Sequence, residues 1–191
     1  MKKVIFIDRD GVINRDPGGW TQHDYVTSWE DFYFLPGVKE ALKILNKKGY
    51  DVIIISNQAG ISKGYYTNRK LTEITSKMVK EIKDAGGRIR KVYYCVHQNS
   101  DRCACRKPKT GMFHRAEEEL GVKAAGAYFI GDGRFDIEAG RKASMKTVLV
   151  LSGKTDPVKA KELEIKPDYI FEDLLEVVNF IVNKKTERKE A

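Results

Sequence analysis

The chain is poor in the residues that fix small secreted folds. It has only three cysteines in 191 residues, and all three fall between positions 95 and 105. An odd, clustered set makes a poor disulfide framework, and in a reducing compartment it points to metal binding. No run of 18 apolar residues is present, so a transmembrane helix is not expected. The first apolar run, Val4-Ile5-Phe6-Ile7, stops at Asp8 with no small-residue cleavage site, which argues against a signal peptide and for a cytoplasmic protein. Internal repeats and low-complexity segments are lacking. No composition break divides the chain, so the expectation is a single domain over residues 1–183 and a basic tail over 184–191.

What the chain does have is charge, with a formal net of +8. Nucleic-acid binding is one way to read such a balance. The lysines, however, are scattered along helical stretches beside glutamates, as on a solvated surface. A mild positive field also favours an anionic substrate. The expected partner is a small phosphorylated metabolite, not nucleic acid or a membrane, and the expected state is a monomer.

Short apolar runs alternate with amphipathic stretches. Strands are predicted at 4–7, 52–55, 92–94, 127–130, 147–150 and 168–170. Helices are predicted over 37–48, 68–85, 111–120, 136–143 and 174–182. Continuous apolar strands separated by helices imply a parallel sheet covered on both faces, a three-layer α/β fold of Rossmann type. Ligands of such sheets bind beyond the carboxyl ends of the strands. Those ends carry Asp8-Arg9-Asp10-Gly11, then Ser56-Asn57-Gln58, then the cysteine cluster with Arg106-Lys107, then Gly131-Asp132.

The residue types suit phosphoryl transfer. Asp8 and Asp10, two apart in an extended segment, share a face. Two carboxylates so close call for a hard cation such as magnesium. Asp8 could then act as nucleophile and Asp10 as acid and base. Asp132 would be a further carboxylate on the cation, supported by Asp136. Ser56 and Asn57 offer hydrogen bonds to phosphoryl oxygens. Lys107 could balance the charge developing there, and Arg106 could fork onto a substrate anion. Taken singly, each group also fits an ordinary turn or a solvated basic pair; the order of the four groups at four strand ends carries the argument.

The remaining cluster is Cys95, His97, Cys103 and Cys105, three thiolates and an imidazole within eleven residues. That is a complete tetrahedral set for a structural zinc, which would pin the loop ending in Arg106 and Lys107. His23 and His114 lie outside it. The loop over 16–27 is aromatic and glycine-rich and is expected to shape the pocket. Its Trp20, His23 and Tyr25 either touch substrate or pack the loop.

The four groups, DxDG, SN, K and GDxxxD, resemble the haloacid-dehalogenase superfamily of phosphatases from Val4 to about Val150. Phe6-Ile7-Asp8-Arg9-Asp10-Gly11-Val12-Ile13-Asn14, Ile55-Ser56-Asn57-Gln58-Ala59-Gly60-Ile61, Cys105-Arg106-Lys107-Pro108 and Ile130-Gly131-Asp132 are most similar to its heptose bisphosphate and histidinol phosphatase branch. The resemblance implies a magnesium-dependent phosphomonoesterase, with no separate cap domain, working through an aspartyl-phosphate. The implied metal ligands are Asp8, the Asp10 backbone carbonyl and Asp132. Ser56 and Lys107 would hold the phosphoryl group, with Asn57, Gln58, Arg106 and Arg134 toward the substrate. The same branch carries the C-x-H and C-x-C arrangement. The expected substrate is D-glycero-D-manno-heptose 1,7-bisphosphate; histidinol phosphate and polynucleotide 3′-phosphate ends are alternatives, and a zinc-stabilised nucleic-acid-binding module is the non-enzymatic one. Two departures stand out: Val12 replaces a common threonine, and Gly133 stands where some heptose phosphatases carry a basic residue.

Overall fold

The computed structural model describes residues 3–187. In chain order the main elements are β1 (Lys3–Ile7), α1 (Val38–Lys47), β2 (Tyr50–Asn57), α2 (Asn68–Asp84), β3 (Lys91–Cys95), α3 (Gly111–Leu120), β4 (Tyr128–Gly131), α4 (Arg134–Lys142), β5 (Lys146–Val150), α5 (Pro157–Glu162), β6 (Tyr169–Phe171) and α6 (Leu174–Glu187). The six strands form one parallel sheet in the order β3-β2-β1-β4-β5-β6.

Alternate side chains of the central strands enter two different cores. Ile5, Ile7, Val52, Ile54, Val148 and Val150 pack on one face, against helices that include α1 and α6. On the other face Phe6, Ile53, Ile55 and Phe129 meet Phe113 and Ala116 of α3. There Phe113 sits edge-on to Phe6 and Phe129, with centroids 5.6 and 5.0 Å away. Burial on both sides explains why the strands read as unbroken apolar runs. Each buried isoleucine or phenylalanine contributes about 1.5–3 kcal/mol.

The chain runs outward from β1 to β3, then returns to place β4 on the other side of β1. The sheet therefore changes winding direction between β1 and β4, and a crevice opens beyond their carboxyl ends. Asp8 and Asp132 immediately follow these two strands.

All six expected strands are present. Helix α5 was not expected: at six residues it is too short to show a periodic stripe. Its start signal is nonetheless in the sequence, with Asp156 accepting from the Val158 and Lys159 N–H groups and Pro157 in the first turn. Helix α6 runs on into the stretch read as a tail, where Lys184 lies 4.9 Å from the Phe180 ring centroid and 5.1 Å from that of Tyr169. Residues 188–191 of that tail lie outside the described residues. Among the described residues, no helix is long and apolar enough to cross a membrane.

Candidate active site

Asp8 continues the β1 ladder by one bond, its N–H donating to the Ile130 carbonyl at 2.9 Å. The chain then wraps tightly: the N–H groups of Val12, Ile13 and Asn14 all reach the Arg9 carbonyl. Gly11, at φ +76°, makes this turn possible.

The turn separates the two aspartates. The Asp10 carboxylate faces a cradle formed by the Arg9 guanidinium (2.8 Å), Asn14 Nδ2 (2.9 Å) and Gln58 Nε2 (2.7 Å). Burial alone would favour its neutral form, but Arg9 and these donors outweigh it and hold Asp10 below the usual carboxylate range. Arg9 is itself fully buried. Gln58, expected on substrate, is also fully buried; it donates to Asp10 and accepts from the Tyr66 hydroxyl at 2.6 Å. Both ends of its amide are engaged within the protein, so it orients Asp10. Arg9, Asn14 and Tyr66 have no sequence signature for this task, which depends on tertiary placement.

Asp132 and Asp136 arrive from the β4 end. Asp8, Asp132 and Asp136 each offer a carboxylate oxygen, and the three lie within 4.8 Å of one another. The Asp10 side chain, turned into its cradle, is not in this group, so its route to a cation would be the backbone carbonyl. Burial, followed by the charges of Asp136 and Asp8, pushes Asp132 well above the ordinary carboxylate value. Its carboxylate occupies a slot between Gly11 and Gly153, where a Cβ on either glycine would overlap it. Asp132 also accepts from the Lys154 N–H at 2.8 Å. Such a concentration of buried anionic oxygen suits a hard divalent ion.

Lys107 neutralises part of this charge. Its ammonium lies 2.8 Å from Asp8 and 2.6 Å from Asp136, and it donates to the Ile55 carbonyl at 3.0 Å. Burial works against the ammonium, but Asp136 and Asp8 prevail and raise its pKa above the usual lysine value. The other Asp136 oxygen accepts from the Gly133 N–H at 3.1 Å. Asp136 thus anchors Lys107 and the start of α4.

The Lys107 backbone is fixed by Asn57, whose amide accepts from the Lys107 N–H at 3.0 Å and donates to its carbonyl at 3.1 Å. Asn57, expected on phosphate, is therefore committed to this loop. Ser56 stands beside it with its hydroxyl 3.2 Å from Gln58 Nε2, and both Ser56 and Asn57 line the cleft.

The cysteine cluster holds the same loop from its other end. The three Sγ···Sγ separations are 3.2, 3.4 and 3.6 Å, and His97 Nδ1 lies 3.4 Å from Cys105 and 3.8 Å from Cys95. A zinc tetrahedron with Zn–S bonds of about 2.3 Å has edges of about 3.8 Å, so these four atoms fit it closely. Burial opposes ionisation of Cys103, but the Arg106 N–H and the neighbouring thiols bring its pKa down to about 7.

Asp8, Asp10, Ser56, Lys107, Asp132 and Asp136 border a cleft of about 730 Å³. Arg106 stands at its rim, bonded to Asn99 Oδ1 at 2.8 Å and to the His97 carbonyl at 3.2 Å. Arg134, also in its lining, lies over the Phe135 ring, 4.6 Å from the centroid. His23 and Tyr25 line the cleft, and His23 stacks on Tyr65 at 4.2 Å. Trp20 instead packs the loop, donating to the Asp16 carbonyl and resting near Tyr33. Lys154, which no motif marked, enters from the loop after β5 and pairs with Asp16 at 3.4 Å. Burial disfavours its charged form, yet Asp132 and then Asp16 keep its pKa above the usual value.

The HAD-hydrolase-like family matches residues 104–177. The chain is 36% identical to D-glycero-beta-D-manno-heptose-1,7-bisphosphate 7-phosphatase of Haemophilus ducreyi, covering 94% of this chain and 98% of that protein. It is 34% identical to the enzyme of the same name from Pseudomonas aeruginosa, covering 95% and 98%. Among solved structures, D,D-heptose 1,7-bisphosphate phosphatase from B. bronchiseptica, complexed with magnesium and phosphate, superposes with a TM-score of 0.84 at 28% identity over 95% of this chain and 99% of that one. Relatedness along almost the whole length, on a sheet that gathers its acidic residues at the β1/β4 crevice, makes this chain a phosphoric monoester hydrolase that belongs to the heptose bisphosphate phosphatase branch of the HAD superfamily.

Proposed function

We propose that the chain removes the 7-phosphate of D-glycero-D-manno-heptose 1,7-bisphosphate, with Asp8 as nucleophile. The observation that carries this reading is the meeting of Asp8 and Asp132 from two different strands with the Lys107 ammonium bridging Asp8 to Asp136. A carboxylate, a fixed cation and a set of hard oxygen donors in one crevice are what phosphoryl transfer to an enzyme group requires.

An Asp8 oxygen forms a bond to phosphorus as the bond from phosphorus to the sugar oxygen breaks. Asp10 delivers a proton to that leaving oxygen. In the second half, Asp10 takes a proton from water, the water oxygen attacks phosphorus, and the Asp8 carboxylate is released with inorganic phosphate. The cradle of Arg9, Asn14 and Gln58 fixes Asp10 and favours its ionised form, which suits the second half. The proton gained there serves the next leaving group. Lys107 and the Ser56 hydroxyl hold the phosphoryl oxygens, and Lys107 balances their growing charge.

Asp8, Asp132 and the Asp10 backbone carbonyl would hold magnesium, while Asp136 remains with Lys107. When bound, the cation screens the phosphate from the carboxylates and acts as a Lewis acid toward it. Cys95, His97, Cys103 and Cys105 would hold a structural zinc, which would keep Arg106 and Lys107 in place. Arg106 and Arg134 at the cleft rim suit the anionic remainder of a bisphosphate.

The test is a comparison of kcat/KM for the heptose bisphosphate, histidinol phosphate and a 3′-phosphorylated oligonucleotide, all with magnesium. The heptose bisphosphate is expected to lead by about a hundredfold or more. A lead for either of the others would overturn the substrate assignment while leaving the phosphatase reading intact.

A further inference from the structure

A second cavity, of about 720 Å³, opens at the opposite end of the sheet, where the strands begin. Its floor is a row of alternating tyrosines and lysines on neighbouring strands. Tyr50 of β2 pairs with Lys3 of β1, and Tyr128 of β4 pairs with Lys146 of β5. Tyr169 of β6 continues the row, and Lys184 of α6 reaches it from above. Their positions have the same parity as Ile5, Val52, Ile130 and Val148, so the row extends one face of the core to the surface.

The lysines are arranged in a regular way. Lys3 lies 5.3 Å from the Tyr50 ring centroid, Lys146 lies 5.2 Å from that of Tyr128, and Lys184 lies 5.1 Å from that of Tyr169. Lys184 also donates to the Tyr169 hydroxyl at 3.2 Å. Lys123 adds a fourth ammonium at the wall. Among the described residues none of these four lysines forms an ion pair, and no aspartate or glutamate lines the cavity. Arg90, also in the wall, differs: its charge is met by Asp51. None of this charge lies at the carboxyl-end crevice, so the hydrolytic site does not account for it.

We propose that this cavity binds a small molecule carrying a chain of phosphoryl groups, at a site separate from the hydrolytic one. Its volume falls within the range of about 300–1,000 Å³ typical of small-molecule sites. Lysine ammoniums are donors suited to phosphoryl oxygens. Lys3 and Lys146 stand two strands apart in the sheet and, by the register Ile5↔Tyr128↔Lys146, two residues apart along it, a backbone separation of about 12 Å. A single phosphate is too compact to meet both ammonium groups, whereas the phosphoryl chain of a triphosphate, with a hydrogen bond at each end, approaches that separation. The bounded, cavity-sized shape, half open to solvent, suits such a compact ligand better than a nucleic-acid strand, which needs a continuous track.

The experiment is equilibrium dialysis of the zinc- and magnesium-loaded enzyme against inorganic tripolyphosphate and, separately, ATP. Excess inorganic phosphate keeps the hydrolytic site filled, and ³¹P spectra verify that the probes stay intact. Submillimolar binding of tripolyphosphate is expected, weakened about tenfold or more in Lys146→Ala/Lys184→Ala, with phosphatase activity unchanged. Lys43→Ala/Lys83→Ala, which removes the same charge elsewhere, should bind like the parent. Equal affinity for the two probes would assign recognition to the phosphate chain, and tighter ATP binding would add the nucleoside; both support the site. Absence of binding at millimolar probe, or undiminished binding by Lys146→Ala/Lys184→Ala, would overturn it. So would an oligonucleotide that displaces ATP at equal phosphate concentration, since that would make the face a nucleic-acid surface.

Discussion

The Lys107 ammonium stands 2.8 Å from an Asp8 carboxylate oxygen, at the point where the zinc-type loop meets the end of β1. A phosphoryl group on Asp8 would develop its charge within reach of that ammonium. Replacing Lys107 by methionine keeps the length of the side chain and removes the charge. Lys107→Met is expected to lower kcat/KM by about a hundredfold to a thousandfold and to weaken inhibition by inorganic phosphate. Steady-state kinetics with phosphate as inhibitor would check both.

Asp8→Asn keeps the shape of the side chain and removes the nucleophile. Turnover should fall by at least about a thousandfold with the circular dichroism spectrum unchanged. Acid-quenched enzyme should also lose its substrate-derived phosphoryl label. Substantial remaining turnover would exclude Asp8 as the attacking group.

Asp132 gives a pH prediction with a definite sign. Its carboxyl titrates well above the ordinary value because of burial first, and then because of Asp136 and Asp8. A carboxyl raised in the folded state costs stability once pH exceeds the unfolded value of about 3.9, and the cost grows until the folded pKa is passed. Asp132→Asn should therefore raise the melting temperature of the metal-free protein at about pH 7 but leave it nearly unchanged at about pH 3. The variant should also lose most of the stabilisation that magnesium gives the parent. Calorimetry at the two pH values, with and without magnesium, reads both effects.

Gly153 tests the slot around Asp132. A Cβ there would overlap the Asp132 carboxylate. Gly153→Ala should raise the magnesium concentration needed for half-maximal activity by about tenfold, with a smaller effect on urea stability. An unchanged magnesium response would show that the loop can yield.

The cysteine cluster predicts one bound zinc per chain, measurable by elemental analysis after purification without chelator. Cys103→Ser should lower zinc content, expose the segment between Cys95 and Lys107 to protease and weaken phosphate binding. Full phosphate affinity in zinc-free protein would separate the cluster from the site.

The sequence disclosed the sheet and its acidic crest because both follow from local patterns. Apolar runs such as Val52-Ile53-Ile54-Ile55 are strands buried on both faces, and a parallel sheet brings their ends together. What it concealed depended on contacts between distant segments. Gln58 resembled a substrate ligand because it follows Ser56-Asn57, but its amide fits between Asp10 and Tyr66. Arg9 carried no mark of its own within the DxDG motif, yet it is wholly enclosed beside Asp10. Gly153 and Lys154 carried no mark, because their importance lies in their nearness to Asp132. Asn57 reads as a phosphate ligand beside Ser56, but the two bonds that tie it to Lys107 cross fifty positions of chain.

The winding order of the strands also bears on how the enzyme comes to exist. Asp8, Ser56, Lys107 and Asp132 come from successive crossings of the sheet, and the Gly153 that confines Asp132 follows β5. No contiguous fragment ending before Asp132 contains all four, and one ending before β5 lacks the Gly153 wall of the slot. Hydrolysis is thus a reporter of late assembly: in a refolding experiment, catalysis should return with docking of the β5 edge, after helical signal has already recovered.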